Sequence, residues 1–166
     1  MDTKKKKQIR TFGKILFAVY ILFLLYFLIF SDWYGRSGVM EEYHYNLTPF
    51  REIKRFWEYR EKLGIWSLVN LLGNVGIFIP FGFFEAIASR KRSFWGTLLD
   101  GLFVSLLVEI FQFVSKVGRF DVDDLLLNTL GVIIGYLAFT LCNAIRRMYG
   151  TKRSGTRKRT QKKGKT

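Results

Sequence analysis

Four apolar stretches set the limits on what this chain can become. They are Gly13–Phe30, Ile65–Ala88, Ser93–Val114 and Leu125–Ile145. A bilayer core needs about 20 mostly apolar residues to be crossed as a helix, and each stretch approaches or exceeds that length. The spacing predicts an all-α, polytopic integral membrane protein with four transmembrane helices. Composition adds an apparent conflict, since the 166 residues are 49% hydrophobic yet carry a net charge of +14. It resolves by position, because the basic residues lie between and beyond the apolar stretches.

Their distribution predicts the topology. Lys4, Lys5, Lys6, Lys7, Arg10 and Lys14 flank the first stretch, Arg90, Lys91 and Arg92 follow the second, and a run from Arg146 to Lys165 follows the fourth. Lys and Arg accumulate on cytoplasmic loops, so both termini and the middle connection are expected inside the cell membrane. Residues 1–12 then form a basic N-terminus, 13–145 the membrane domain and 146–166 a tail whose Gly, Ser and Thr content predicts disorder. Anionic lipid headgroups are the expected partner of that tail. It lacks aromatic interleaving and any recognised fold, so nucleic acid is not expected to bind. The first stretch is expected to be retained, because "FSDWYGRSG" offers no small-x-small cleavage site.

The first external segment contains "NLTPFREIKRFWEYREKLG". Ile53, Phe56, Trp57 and Leu63 give one apolar side to a short helix, expected to start at Thr48 as cap with Pro49 in the first turn. It is read as an amphipathic helix in the outer interface, with Trp57 and Tyr59 at headgroup level. Asn46-Leu47-Thr48 matches a glycosylation triplet, but the Pro49 that follows argues against its use. Cys142 and His44 each stand alone, which leaves no disulfide framework and no His/Cys zinc site.

Polar residues inside the stretches carry the functional signal, since ionisable groups in a membrane usually face a bundle interior or a watery cavity. Asn70 and Asn74 share a face in the outer half of the second stretch. Ser105, Glu109 and Gln112 form one stripe of the third, and Asp121, Asp124 and Asn128 one face of the fourth. All three stripes fall at the same depth, which predicts an outward polar pocket of Asn70, Asn74, Glu109, Gln112, Arg119, Asp121, Asp124 and Asn128, with Asn46 and Ser105 also expected among its ligand-binding residues. Gly73, Gly76, Gly131 and Gly135 are expected to permit close helix packing. Pro80 is expected to kink the second helix, with Gly82 easing the bend.

A purely architectural reading stands beside this one. Asp121 and Asp124 would cap the last helix, Arg119 would neutralise Glu109 or Asp121, and the asparagines would bridge helices. Asp123, on another face, is expected to be a solvated surface acid. Glu85 and Asp100, nearer the inner ends, are expected to pair with Arg90–Arg92 or line an inner vestibule.

"NLTPF", "NLLGNVGIFIPFG" (Asn70–Gly82), "SLLVEIFQ" (Ser105–Gln112) and "GRFDVDDLLLNTLG" (Gly118–Gly131) together resemble the motif set of the VanZ-like family, in order and spacing, over about Asn46 to Tyr136. The resemblance implies small bacterial membrane proteins associated with resistance to the glycopeptide antibiotic teicoplanin. Its family positions here are Asn46, Pro49, Asn70, Gly73, Asn74, Pro80, Gly82, Ser105, Glu109, Gln112, Arg119, Asp121, Asp124, Asn128 and Gly131. It supplies a phenotype rather than a reaction, so three functions remain open. One is a protein that binds or acts on envelope or amphiphilic material, such as a lipoglycopeptide. The second is an intramembrane enzyme acting on a lipid-linked envelope precursor. Glu109, Asp121 and Asp124 are its catalytic candidates, with Glu109 or Asp124 as general base and Arg119 holding a phosphate or carboxylate. The third is a small transporter or structural partner. Mg²⁺ or Ca²⁺ on carboxylate and Asn oxygens is compatible with the residue types, whereas no Ser or Cys nucleophile stands beside a base.

Overall fold

The computed structural model describes residues 3–30, 42–89, 93–116 and 118–163. In chain order the elements are α1 (Thr3–Phe30), β1 (Tyr45–Asn46), α2 (Arg51–Ala88), α3 (Phe94–Val114), β2 (Phe120–Asp121) and α4 (Val122–Lys163). Four helical segments are long and apolar enough to cross a membrane: Lys7–Phe27, Leu68–Ala88, Phe94–Val114 and Val122–Tyr149. They coincide with the four apolar stretches, and the chain is a multi-pass membrane protein. Large apolar side chains such as Leu22, Leu99, Phe103, Leu137 and Leu141 are exposed on the outside of the bundle, where lipid would solvate them. α4 continues as helix to Lys163, through most of the tail for which composition predicted disorder. The segment "SDWYGRSG" and Arg90–Arg92 lie outside the described residues.

Lipid tails are as apolar as leucine, so helices in a membrane associate by close packing rather than by the hydrophobic effect. The α2–α4 pair meets this demand with glycine. A Cβ on Gly82 would lie 2.1 Å from the Val132 carbonyl oxygen. Cβ atoms on Gly131 and Gly135 would lie 2.2 and 2.0 Å from the carbonyl oxygens of Val75 and Ile79. The two backbones therefore touch where Gly131 and Gly135, one turn apart, form a small-xxx-small seam. Gly76 corrects the expectation for that position, since it is exposed and a Cβ there would meet nothing within 4 Å.

Beside this seam, Tyr20 and Leu24 of α1 pack with Phe78, Phe81 and Val132, and Phe17 meets Phe81 edge-on at 5.2 Å. Pro80 sits inside α2 without ending it. Its missing N–H and its ring disturb the preceding turn, and the Tyr20 hydroxyl donates to the Ile77 carbonyl in that turn. A neighbouring helix thus satisfies backbone that the proline loosens, as helix-breaking residues in membranes require.

α2 cannot be straight. As a rod, its 38 residues would span about 57 Å, with Phe50 and Asn74 about 36 Å apart. Yet the Phe50 N–H donates to the Asp123 carboxylate and the Asn74 amide donates to Asp124. Asp123 and Asp124 are consecutive, so the chain must turn back between Glu52 and Asn74. The amphipathic segment is therefore a limb of its own, as expected, although the helix runs on into the second span. It begins later than expected: Thr48 and Pro49 precede the helix, and Phe50, at φ 63°, occupies the cap position without a side-chain cap bond.

The seam gives a direct test. Gly135→Ala is expected to lower the thermal stability of the detergent-purified protein by about 1–3 kcal/mol, the usual cost of forcing atoms into a packed interface. Gly76→Ala is expected to leave it unchanged or slightly raise it, and equal losses for both would remove the seam from the account.

Candidate functional site

The segment before α2 and the segment before α4 are joined to each other. β1 and β2 pair in parallel, with Tyr45 opposite Phe120 and Asn46 opposite Asp121, and the Phe120 N–H donates to the His44 carbonyl at 3.1 Å. The Asn46 amide reaches Asp121 Oδ1 at 2.9 Å, while its own Oδ1 accepts the Thr48 N–H at 3.2 Å. A two-residue ladder has little stability by itself. Here it is held by the side chains beneath it.

Each aspartate of "DVDD" holds a different element. Asp121 precedes α4 and caps it, accepting the Asp123 N–H at Oδ1 at 2.9 Å. Its N–H donates to Glu109 Oε2 of α3 at 3.0 Å, and its Oδ2 faces Arg119 Nε at 3.2 Å. Asp123 accepts the N–H groups of Phe50 and Glu52, the latter at 2.6 Å, and so caps α2 from a distance in sequence. Asp124 holds Asn74 of the second span. Deeper in the bundle, the Asn128 amide donates to Ser105 at 2.9 Å, joining α4 to α3.

The expectation that Asp123 is a solvated surface acid is thereby corrected, for its relative exposure is 0%. The first N–H groups of a helix need acceptors, and no side chain at Phe50 can supply one. A carboxylate from α4 fills that role. Sequence reading missed it because the partners are more than 70 positions apart. The available signal was a helix start at "TPFRE" with no local acceptor that the backbone could use.

Among the remaining residues of the expected pocket, Asn46, Asn74, Ser105, Glu109, Gln112 and Asn128 are all buried, while Asn70 and Asp124 are half-buried. Hydrogen bonds link the three polar stripes to one another: Asn74 to Asp124, the Asp121 N–H to Glu109, and Asn128 to Ser105. Pro49 lies in the turn before α2, and Gly73, half-buried, precedes Asn74. At the opposite end of the span, the Thr97 hydroxyl donates to Glu85.

Open space lies to one side of the cluster. A cavity of about 300 Å³ is lined by His44, Tyr45, Asn46, Arg51, Glu52, Arg55 and Arg119. Of the expected pocket residues, only Asn46 and Arg119 border it. Glu52 receives Arg55 at 3.0 Å and Arg119 at 3.3 Å, and Arg119 also reaches Asp121. The wall thus has three guanidiniums and one carboxylate, which favours an anion. Arg51 and Arg55 were legible only as charges on an amphipathic helix, because their approach to Arg119 depends on the fold-back of α2. Among the described residues, no three His, Cys, Asp or Glu side chains group as a metal site would require.

Burial raises the Asp121 carboxyl above its ordinary value of 3.8, opposed by the Asp123 N–H, Asn46 and Arg119. A carboxyl raised on folding binds its proton more tightly in the native state, so stability falls as pH rises from 3.8 through the folded value. Asp121→Asn is expected to flatten that decline in thermal-unfolding midpoints measured across pH; an unchanged slope would assign it to another group. Asp123→Ala strands two N–H groups and is expected to cost about 2–4 kcal/mol in the same unfolding measurement. Asp123→Asn, keeping one acceptor oxygen, is expected to lose less.

Comparison with known proteins now bears on these residues together. A family model described as VanZ/LLP1 matches residues 17–143, a range that includes the paired loops, the polar cluster and the cavity. Protein VanZ of Enterococcus faecium is 32% identical over 138 residues, covering 79% of this chain and 78% of its own. No solved structure matches the chain. With four membrane spans and three polar stripes converging on the "GRFDVDD" turn, the chain belongs to the VanZ/LLP1 family.

Proposed function

We propose that this protein binds amphiphilic envelope material at the outer face of the cell membrane and thereby influences susceptibility to teicoplanin-type glycopeptide antibiotics. In this reading both termini are cytoplasmic, a topology supported by the basic residues before the first span, between the second and third, and after the fourth. The β1–β2 ladder and the arginine-lined cavity then face outwards.

The observation that carries the reading is the cavity of Arg51, Arg55 and Arg119 beside the N-terminal limb of α2. That limb exposes Trp57 and Tyr59, side chains suited to the headgroup level of a bilayer. A molecule with a charged head and a lipid tail would engage both features at once. Membership of the VanZ/LLP1 family supports the link to glycopeptides that the motif resemblance implies.

Binding is favoured over acid–base chemistry by what the carboxylates already do. Glu109 is buried and accepts the Asp121 N–H, and Asp124 holds Asn74. A general base must reach the proton it abstracts, and both groups are engaged in holding helices together.

A Gram-positive host expressing the wild type is expected to tolerate several-fold more teicoplanin than the empty host. Glu109→Gln, which keeps an acceptor for the Asp121 N–H, should retain protection, whereas Arg55→Ala should reduce it at equal membrane abundance. Absence of a wild-type effect would detach this chain from the resistance phenotype. Loss of protection in an abundant Glu109→Gln variant would instead favour the enzymatic reading.

A further inference from the structure

We propose that the cavity between the first external loop and the start of α4 is a binding site for a phosphate monoester, the headgroup of an amphiphile in the adjoining leaflet. The proposal deepens the binding function above and rests on its outward placement of this end. It follows from charge, geometry and surroundings together.

Charge comes first. Arg51, Arg55 and Arg119 line the cavity with Glu52 as the carboxylate in its wall, so cations outnumber acids in the lining, while Asp121 behind it engages Arg119. A phosphate monoester carries roughly −1.5 to −2 at neutral pH and offers three terminal acceptor oxygens to three guanidiniums, more than a carboxylate or a phosphodiester presents. Guanidinium groups stay protonated and present planar, paired donors suited to phosphate oxygens. Glu52 holds Arg55 and Arg119 at 3.0 and 3.3 Å and so orients two of the three. Among the described residues no ion pair is shown for Arg51, which leaves its charge for a ligand.

Size and surroundings come next. At about 300 Å³ the cavity lies at the small end of ligand sites, enough for a headgroup but not for a lipid tail. A tail would have to lie outside, and the rim offers apolar surface for it. Tyr45, Leu47 and Phe50 are all more than 60% exposed around the same turn. Exposed aromatic and apolar side chains beside accessible guanidinium groups are the pattern that an amphiphile's head and stem would satisfy.

The test uses full-length protein purified in neutral detergent, with mixed micelles of phosphatidate, phosphatidylglycerol or phosphatidylcholine as probes and inorganic phosphate as a separate arm. The basic tail will attract any anionic surface, so the readout is the difference between wild type and Arg51→Ala. Arg51 supports no ion pair among the described residues, and its variant is expected to keep the wild-type unfolding midpoint without ligand. Saturable binding of phosphatidate, tighter than phosphatidylglycerol and weakened at least about tenfold by Arg51→Ala, is the expected result, matching loss of one charge-assisted hydrogen bond. The same Arg51-dependent saturation with inorganic phosphate alone, and not with phosphatidate, would retain phosphate recognition but replace the amphiphile with a free ion. Equal binding of phosphatidate and phosphatidylglycerol, no saturable binding of either phosphate probe, or an unaffected Arg51→Ala variant would overturn the proposal. No antibiotic is present, so a missing resistance phenotype and a missing phosphate site are separate failures.

Discussion

A buried carboxylate must find donors or remain protonated, and this requirement organises one whole end of the bundle. Asp121 meets it by taking hydrogen bonds from Asn46 and from the first turn of α4, with Arg119 across its second oxygen. Each donor belongs to a different part of the chain. Satisfying one side chain therefore fixes the loop before α2 against the loop before α4 and both against α4. Asp123 and Asp124 extend the same logic to the two limbs of α2. Three aspartates in four positions thus hold a strand, a helix start and a membrane span.

The cluster matters because of what it holds in place. Capping by Asp123 brings the N-terminal limb of α2 back to the start of α4, and only that fold-back carries Arg51 and Arg55 to Arg119. The cavity is a consequence of the network rather than part of it. This separation explains why acidic residues dominate the sequence signature while basic residues line the open space. It also divides the expected effects of substitution, since changes at the aspartates act first on stability and changes at the arginines act first on ligand.

Below this end, the bundle uses a different device. α2 and α4 touch backbone to backbone along Gly82, Gly131 and Gly135, where a membrane gives no hydrophobic reward for association. The Tyr20 hydroxyl then supports the turn that Pro80 weakens. Close packing of these two helices aligns Asn74 with Asp124 and leaves α3 to approach α4 through Ser105 and Asn128. The polar cluster and the glycine seam are therefore two halves of one interface, hydrogen bonding at the end and van der Waals contact below.

The sequence by itself determined the number and extent of the spans, because bilayer thickness imposes a length that apolar stretches either meet or miss. It also determined the convergence of the polar stripes, since helical periodicity and depth are local properties of each segment. Gly131 and Gly135 were legible as packing positions for the same reason. Only the tertiary structure decided that Asp123 is buried, that Gly76 faces open space and that His44 to Asn46 pair with Phe120 and Asp121. It likewise decided where the cavity opens, because that depends on a reversal of α2 which no local pattern of charge or hydropathy encodes. Periodicity assigns a residue to a face; its partner across the fold is chosen by which buried groups must satisfy one another.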